Sequence, residues 1–495
     1  MVCVALVTAA CGSTVPDAEN RALAQARGGP NLGTPNSDFS GEGVTPDGSD
    51  PLGASSATGA GGNGAGQTGN SASGKSGGSV SAKPGVSAPG VTADAVKVAF
   101  IGVNRDSAQA TGGAAGAPTP DTGDPKAMAA AVRDWVNRNG GIAGHKMVEV
   151  VVTRDPGDND PNAAEKQCAE LTQDQKVFAV VGNNFEAPEC YAKHKTLALH
   201  DSALSSAEMK QYSPYTWSPG LQPAEAAYAA LVDSLIAQGW FAAGSKLGVI
   251  VRDNPAYRGM YQTQVKDRLA RIGYKVDKEA FITDEDGTDQ TAQYAAQVQG
   301  AATEWCRTGI NRVIFMNPGG LAPILFFRAA DSQVCHPLYG ITSGDIPSLY
   351  LQPPVVPRSQ SVNARGVGWV QGADVDSRKA DPFPTGVAEK QCLEIMKATG
   401  DPPKRRIDAL FREIFCDGAL MLWAAGKKIQ GPLTTASWAA AAEGLGAEFQ
   451  SGWSLPDTTR FVPGRHFGGT AYRNVGFDTS CDCFAYTSGN KTFPL

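Results

Sequence analysis

Residues Asp124–Asn184 read DPKAMAAAVRDWVNRNGGIAGHKMVEVVVTRDPGDNDPNAAEKQCAELTQDQKVFAVVGNN. Asp124 and Pro125 predict the start of a helix, because aspartate accepts hydrogen bonds from free backbone N–H groups and proline suits the first helical position. Apolar residues then recur at helical spacing up to a Gly-Gly pair, which predicts the end of that helix. The mostly apolar run Lys146–Val152 predicts a strand, and we expect it to be buried on both faces.

A second helix and a second strand follow in the same order. The helix is predicted to begin at Asp160 and Pro161, and the apolar run Val177–Gly182 (VFAVVG) predicts a buried strand. Strand, helix and strand joined by short loops form the unit of a doubly wound parallel sheet. Such sheets bind ligands outside the carboxyl ends of their strands. The stretch therefore predicts an α/β fold with a ligand site at strand ends.

The same unit recurs along the chain. Further strands are predicted at Val96–Val103, Ser202–Ser206, Lys246–Val251, Lys275–Ile282, Arg312–Met316, Leu338–Thr342 and Gly366–Gln371. The break between two similar α/β halves is predicted near Trp217–Pro223. Residues Thr459–Phe484 alternate apolar and polar side chains around glycine-containing turns, which is typical of hairpin strands.

Composition narrows the functional classes. The chain has 495 residues, enough for two or three domains, and its net charge of -6 provides no basic surface of the kind that binds nucleic acid. Its histidines show no metal-binding spacing such as HExxH, and Gly112, Gly113 and Gly116 do not match the dinucleotide motif GxGxxG. No run approaches the roughly 20 apolar residues that cross a bilayer. We therefore expect no nucleic-acid partner, no metal and no cofactor.

The N-terminal residues resemble the end of a bacterial lipoprotein signal. The apolar run Met1–Ala10 (MVCVALVTAA) ends in small residues directly before Cys11, which would be the acylated residue. No Lys or Arg precedes this run, so we expect that the true start of the protein lies upstream. An apolar N-terminus with a chance cysteine is the alternative.

Residues 11–92 are dominated by Gly, Ser, Ala, Pro, Asn and Asp. Such a composition buries too little apolar surface to offset the entropy of ordering, so we predict a disordered tether. A chain of this kind has a mean span of roughly 50 Å. Together with a lipid on Cys11, the tether would hold a folded domain away from a membrane. An unselected low-complexity extension is the alternative.

The cysteines favour export. Apart from Cys3 and Cys11, the cysteines are Cys168, Cys190, Cys306, Cys335, Cys392, Cys416, Cys481 and Cys483. An even number in an exported protein favours disulfide bonds. We predict sequential pairing, because each bond would then close a loop within one helix–strand neighbourhood. The last pair is the least secure, because so short a ring is strained. A metal site is the alternative, although no two CxxC motifs are present.

The order of elements resembles the type 1 periplasmic binding protein fold, that of the leucine/isoleucine/valine-binding proteins which serve ABC importers. The resemblance spans Ala93–Tyr486. Its most specific motif is Val136–Gly144 (VNRNGGIAG), which is similar to the helix-end turn N-x-x-G-G-I-x-G of that family. The strand sequences VKVAFIGV, VFAVVG and KLGVIV and the loop Asp155–Pro161 add to it.

The resemblance implies two α/β lobes around a cleft that closes by a hinge motion, each lobe containing a doubly wound, mainly parallel sheet. Residues 1–10, the signal segment, and residues 11–92, the tether, precede the lobes. Lobe 1 would contain residues 93–217 and 347–455. Lobe 2 would contain residues 218–346 and 456–495.

The resemblance also implies ligand-binding positions. In the amino-acid binders, loops after the third and fourth strands bind the ligand carboxylate, a tyrosine covers the ligand, and an acid holds its ammonium group. Together with the strand-end residues Asn104 and Asn317, the corresponding positions are Asn183, Asn184, Phe185, Ser205, Ser206, Tyr257 and Asp345. Each has a structural alternative as a turn or cap residue. Thr342–Gly344 occupies the expected place of the acid, which argues against an α-amino acid.

These features predict a lipid-anchored, extracytoplasmic solute-binding protein that is not an enzyme. It would capture a small polar organic ligand, such as an amino acid or a related compound, and deliver it to the permease of an ABC importer. A sensory or scaffold lipoprotein of the same fold, acting through a protein partner, is the main alternative. An exported enzyme is a third, although the sequence shows no nucleophile–base set, GxSxG motif or P-loop.

Overall fold

A computed structural model describes residues 88–107, 119–155, 161–182, 187–202, 204–283, 291–319, 321–376, 379 and 381–495. These residues belong to one compact unit, Val80–Leu495. The signal segment, most of the tether, Cys11, Asn183, Asn184 and Phe185 lie outside the described residues. The folded part begins before the predicted Ala93, because Ala88 is buried in the core and Val91 forms a β-bridge with Val96.

The first lobe is built from alternating strands and helices. Its elements are β1 (Ala95–Val103), α1 (Pro125–Arg138), β2 (Lys146–Arg154), α2 (Pro161–Ala169), β3 (Ala179–Gly182), α3 (Pro188–Lys193), β4 (Leu197–His200), α4 (Ser206–Gln211) and β5 (Thr216–Trp217). Within the described residues its sheet has five parallel strands in the order β2-β1-β3-β4-β5. A π-helical segment, Glu170–Asp174, continues α2.

The predicted signals at both ends of α1 are confirmed. The Asp124 side chain accepts a hydrogen bond from the backbone N–H of Lys126 at 2.9 Å, and Pro125 is the first helical residue. Gly140 and Gly141 follow the helix with φ angles of 95° and 72°. A side chain at Gly141 would bring its Cβ to 2.1 Å from the carbonyl oxygen of His145, so glycine is required there for space as well as for conformation.

Two strand predictions for this lobe are wrong in part. The strand at Lys146 exists but is not buried on both faces, because β2 lies at the edge of the sheet and Val148 is 43% exposed. The described residues of the predicted strand Ser202–Ser206 form no strand, and the fourth strand is β4. The SALSS sequence instead leads into α4, because Ser205 and Glu208 form a capping box at the start of that helix.

The second lobe repeats the pattern. Its elements are α5 (Ala224–Ala237), β6 (Leu247–Arg252), α6 (Pro255–Met260), β7 (Lys278–Ile282), α7 (Thr291–Thr308), β8 (Arg312–Met316), α8 (Leu321–Ser332), β9 (Leu338–Thr342), α9 (Pro347–Tyr350), α10 (Arg358–Ser361), β10 (Ala364–Gly368) and α11 (Gln371–Asp374). Helix α6 continues through a π-helical segment, Tyr261–Lys266, and a final turn, Asp267–Ala270.

The remaining elements are α12 (Val387–Met396), α13 (Arg406–Gly426), α14 (Thr435–Glu443), β11 (Ala471–Asp478), β12 (Cys483–Tyr486) and β13 (Phe493–Pro494). The second sheet has the order β12-β11-β10-β9-β8-β6-β7, with β13 beside β11. Strands β6 to β10 pair in parallel, whereas β11 and β12 are antiparallel. The predicted hairpin at the end of the chain is therefore present, and it adds strands to this sheet.

One lobe assignment differs from the prediction. Residues 347–455 were expected in lobe 1, but β10 pairs with β9 and β11 in the second sheet. The chain returns to the first sheet later, between α11 and α12, and α13 packs against α1 and β3. Residues of α13 and α14 such as Phe415, Met421 and Trp438 share a core with Phe100 of β1. The other domain boundaries stay a prediction.

The predicted disulfide pairing is confirmed. Within the described residues the bonds are Cys168–Cys190, Cys306–Cys335, Cys392–Cys416 and Cys481–Cys483. The first bond joins α2 to α3, and the third joins α12 to α13. In the same part of the chain, no cluster of His, Cys, Asp or Glu side chains is arranged to hold a metal ion. None of the helices described here is long and apolar enough to span a membrane.

Candidate functional site

A cavity of about 690 Å³ lies between the two lobes, at the carboxyl ends of their strands. The first lobe contributes residues that follow β4, among them Asp201, Ser202 and Ser205. The second lobe contributes residues that follow β6, β8, β9 and β10. The position agrees with the general rule that open α/β sheets bind ligands at this edge. Its volume lies within the range of small-molecule sites in proteins.

Two further elements complete the wall. Helix α5, the first of the second lobe, contributes Ala224, Ala227 and Tyr228. Helix α13 contributes Leu410, Phe411 and Ile414, and Trp453 follows α14. Apolar and aromatic side chains therefore form much of the cavity surface.

Much of the polar lining is already engaged in local structure. The Asn254 side chain accepts a hydrogen bond from the backbone N–H of Tyr257 at 2.9 Å and so caps α6. The Ser343 hydroxyl accepts from the backbone N–H of Trp369 at 2.8 Å. The Thr342 hydroxyl accepts from the backbone N–H of Gly344 at 3.2 Å. These bonds hold three strand-end loops in place around the cavity.

The predicted residues Ser205 and Ser206 have different positions. Ser205 lines the cavity, but its backbone N–H and its hydroxyl both donate to the carboxylate of Glu208, at 2.8 and 2.7 Å. Ser206 is exposed, is not among the cavity residues, and donates its backbone N–H to Glu225 at 2.8 Å. The hydroxyl-rich segment that we assigned to the ligand therefore serves mainly as a helix start.

Asn104 does not line the cavity. Its side-chain oxygen accepts hydrogen bonds from the backbone N–H groups of Asp106 and Ser107, at 3.2 and 3.4 Å. The side chain thus closes the turn after β1, which is the structural alternative for an asparagine at a strand end.

Tyr257 lines the cavity, as predicted, and faces a second tyrosine. The rings of Tyr257 and Tyr228 meet edge to face, with their centroids 6.1 Å apart. Burial raises the pKa of Tyr228 well above its ordinary value, and the neighbouring Tyr257 adds to this rise. The Tyr228 hydroxyl therefore remains protonated at physiological pH, and the two rings together offer aromatic surface to a ligand.

Asn317 also lines the cavity. It follows β8, is only 8% exposed, and its carboxamide makes no hydrogen bond with any residue that the structure describes. The carboxamide atoms are not fully enclosed by protein, so they can form hydrogen bonds toward the cavity. Asn317 is therefore the predicted residue whose geometry best fits a contact with a ligand.

Asp345 lies behind the wall of the cavity. It is 1% exposed and accepts hydrogen bonds from the backbone N–H and the hydroxyl of Thr342, at 2.7 and 3.2 Å. Burial raises the pKa of this carboxyl to about 7, although the bonds from Thr342 oppose the shift. The acid that the resemblance pairs with a ligand ammonium group thus closes its own loop.

Several residues of the cavity were not predicted from the sequence. Arg252 is the last residue of β6, and its guanidinium carbon lies 5.8 Å from the centroid of the Tyr257 ring. Its place at a strand end, before the loop that carries Tyr257, was a signal that could have identified it. Trp369, which follows β10, also lines the cavity. No local pattern distinguished Leu410, Phe411 and Trp453, which reach the site only through the packing of α13 and the segment after α14.

Comparison with known proteins agrees with this architecture. A family model described as "Periplasmic binding protein" matches residues 111–473. No functionally curated protein matches the sequence.

Solved structures share the fold at low sequence identity. A possible leucine/isoleucine/valine-binding protein from Rhodopirellula baltica is 18% identical, with a TM-score of 0.53 over 81% of this chain and 96% of that chain. A solute-binding protein of an ABC transporter from Rhodopseudomonas palustris, in complex with 3,4-dihydroxybenzoic acid, is 13% identical, with a TM-score of 0.56 over 81% and 98%. A fatty acid ABC transporter substrate-binding protein from Thermomonospora curvata is 15% identical, with a TM-score of 0.53 over 83% and 93%. The match of the family model over most of the chain, on a fold with two α/β lobes around a cleft, shows that this protein belongs to the type 1 periplasmic binding protein family.

Proposed function

We propose that the protein is a lipid-anchored, extracytoplasmic solute-binding protein that captures a small organic molecule between its lobes and delivers it to an ABC importer. The observation that carries this proposal is the cavity of about 690 Å³ between the lobes. Both sheets present strand ends to it, so one ligand can contact both lobes. A ligand that contacts both lobes stabilises their closed arrangement, because it gains those contacts only when the lobes approach.

The family supports the delivery role. Periplasmic binding proteins act outside the cytoplasm, and the relatives described above are named as substrate-binding proteins of ABC transporters or as a possible amino-acid-binding protein. The molecules in their names differ in size and polarity, from amino acids to dihydroxybenzoic and fatty acids. Because the sequence identity to these relatives is low, the ligand of this chain has to be inferred from its own cavity residues.

The anchoring role rests on the sequence of the N-terminus. Cys11 follows an apolar run, and residues 11–92 separate it from the folded lobes. A lipid on Cys11 would keep the protein close to its permease. This raises the local concentration of the ligand-bound protein at the membrane. Replacement of Cys11 by Ser in the cellular protein, with its natural leader, should move the protein from the membrane fraction to the soluble fraction. Retention of the variant in the membrane fraction would contradict the proposed anchor.

Ligand binding is tested first. The full chain is screened by thermal shift against amino acids, amides, aromatic and aliphatic acids, sugars and nucleosides. A ligand at 100 times its dissociation constant adds about 2.7 kcal/mol to the free energy of unfolding, which gives a clear shift. Isothermal titration then gives the affinity, and small-angle scattering should show a smaller radius of gyration with the ligand than without it. A flat screen would count against a solute-binding role.

Transport is tested in the cell from which the protein comes. Deletion of its gene should abolish high-affinity uptake of the ligand identified in the screen, and the wild-type gene should restore uptake. Normal uptake in the deletion strain, together with tight binding by the purified protein, would favour the sensory role over delivery.

A further inference from the structure

We propose that the cavity selects an organic carboxylate with an apolar body, and that the carboxylate lies against the second lobe at Arg252 and Asn317. The inference deepens the proposed function and rests on it. It reverses the electrostatic arrangement that the resemblance to amino-acid binders implies, in which the second lobe holds an ammonium group.

Arg252 and Asn317 come from neighbouring strands in matched register. Strands β6 and β8 are parallel, and Val251 pairs with Met316. Arg252 and Asn317 are the next residues along the two strands, so their backbones are about 5 Å apart at the same edge of the sheet. Both residues line the cavity. A ligand group that reaches one of them is therefore within reach of the other.

The charge of Arg252 is directed toward the aromatic wall of the cavity. Its guanidinium carbon lies 5.8 Å from the centroid of the Tyr257 ring. Its charge lowers the pKa of Tyr228, whereas burial, Tyr257 and Asp345 raise it, so Arg252 and the buried Asp345 both lie within electrostatic range of that hydroxyl. The guanidinium group carries five N–H donors, so it can receive a carboxylate while other donors keep their partners in the protein.

Asn317 supplies the second contact. It is 8% exposed, it lines the cavity, and its carboxamide has no hydrogen-bond partner among the described residues. Its N–H group can donate to one oxygen of a carboxylate whose other oxygen faces Arg252. Such a pair recognises a planar anion, because Arg252 supplies positive charge and Asn317 fixes the orientation of the carboxylate.

The acids around the cavity favour this orientation. In the described part of the second lobe no aspartate or glutamate lines the cavity, because Asp345 turns away to accept from Thr342. The acids that do line it, Asp201 and Glu208, belong to the first lobe. A ligand carboxylate therefore meets positive charge on the second lobe and negative charge on the first.

The rest of the wall suits an apolar body. Tyr228, Tyr257, Leu410, Phe411 and Ile414 line the space between the lobes. A volume of about 690 Å³ exceeds what a small amino acid needs and accommodates an aromatic ring or a medium-length alkyl chain. Burial of that apolar surface supplies affinity, whereas the carboxylate contact supplies orientation and selectivity.

The test uses sets of three ligands that share one body and differ in the head group. 3-Phenylpropionate is compared with 3-phenylpropionamide and 3-phenylpropylamine, and octanoate with octanamide and octylamine, by isothermal titration with the full chain. Phenylalanine and leucine test the zwitterion. The acids should bind roughly 10- to 100-fold more tightly than their amides, because the amide lacks the charge that Arg252 pairs with. The amines should be the weakest of each set.

Two arginine variants locate the selectivity. Arg252→Gln should lower the affinity for the acids at least about 10-fold and leave the affinity for the amides nearly unchanged. Arg258→Gln is the matched control, because Arg258 lies near Arg252 in the chain but pairs with Asp253 at 2.6 Å, is half exposed and does not line the cavity. Melting temperatures of the unliganded variants show whether each one folds.

The outcomes separate the two proposals. Preference for the amide or the amine, or an equal response of the two arginine variants, would overturn the carboxylate inference and leave the solute-binding proposal standing. Phenylalanine or leucine binding more tightly than the simple acids would overturn it as well. Failure of all these ligands, together with a flat screen of the wider panel, would contradict both.

Discussion

Asp345 accepts hydrogen bonds from the backbone N–H and the hydroxyl of Thr342, so its carboxyl group supports the loop after β9 and does not face the ligand cavity. The loop holds Thr342 and Ser343 at the cavity wall. The carboxyl group of Asp345, which the resemblance assigns to a ligand ammonium group, thus has a structural role. Its burial also makes it a titrating group near neutral pH.

We expect the stability of the protein to fall as the pH rises from 5 to 8, in part because of Asp345. Burial raises the pKa of this carboxyl in the folded state to about 7, well above the value of an exposed aspartate. The protonated form therefore stabilises the fold at acidic pH, and this contribution is lost as the pH rises through about 7. Asp345→Asn should reduce the loss between pH 5 and pH 8 by roughly 2–3 kcal/mol, as measured by urea unfolding.

Asp478 provides the control for this measurement. A hydrogen bond from the backbone N–H of Ser480 lowers the pKa of Asp478, so Asp478→Asn should not reduce the loss of stability between pH 5 and pH 8. Buried Asp374 and Asp417, whose pKa values burial raises to about 7 and about 6, should keep part of the pH dependence in both variants. An unchanged pH profile in Asp345→Asn would contradict the expected role.

Asn317→Ala should weaken ligand binding without lowering stability. The side chain lines the cavity and makes no hydrogen bond with the described residues, so its removal takes away a ligand contact and no contact of the fold. We expect a loss of affinity of roughly 10-fold, measured by titration with the ligand from the screen. Asn104→Ala is the matched control, because Asn104 closes a turn outside the cavity. It should leave affinity unchanged and cost about 0.5–1 kcal/mol of stability.

Tyr257→Ala should also weaken binding, because it removes aromatic surface from the cavity and leaves Tyr228 without its edge-to-face partner. A loss of roughly 10-fold or more is expected in the same titration. Tyr257→Phe should retain most of the affinity if the ring supplies the contact. Tyr274→Ala is the control, since Tyr274 contacts Ser245 away from the cavity. Equal affinities of the Tyr257→Ala variant and the wild type would refute this placement of the ligand.

The disulfide bonds should differ in their contribution to stability. Cys306 and Cys335 are separated by 29 residues, whereas Cys481 and Cys483 are separated by only 2. A bond that closes a longer loop removes more conformational freedom from the unfolded chain. Replacement of both cysteines by Ala should cost about 3 kcal/mol for the first pair and at most about half of that for the second, measured by denaturant unfolding. A larger loss for the Cys481–Cys483 pair would show that loop closure is not the main contribution.

Local signals in the sequence were sufficient for the order of elements, the ends of α1 and the pairing of the cysteines. Asp124, Pro125 and the Gly140–Gly141 pair act on backbone groups within a few residues of themselves, so their effect can be read without the rest of the fold. The apolar runs of β3 and β6 likewise identified buried parallel strands. The motif Val136–Gly144 indicated the family, and the match of the family model confirmed it.

The cavity itself was decided by the tertiary structure. Asn, Ser and Asp residues at strand ends serve turns and caps as readily as ligands, and only packing distinguishes Asn317, which faces the cavity unpaired, from Asn104, which closes its own turn. Trp453 and Arg252 line the same cavity although about 200 positions separate them in the sequence, because α13 and the segment after α14 fold back onto it. The sequence by itself determines turns and helix caps, because these depend on backbone groups only a few residues away. Which side chains share the cavity depends on contacts between distant segments, and those exist only in the folded chain.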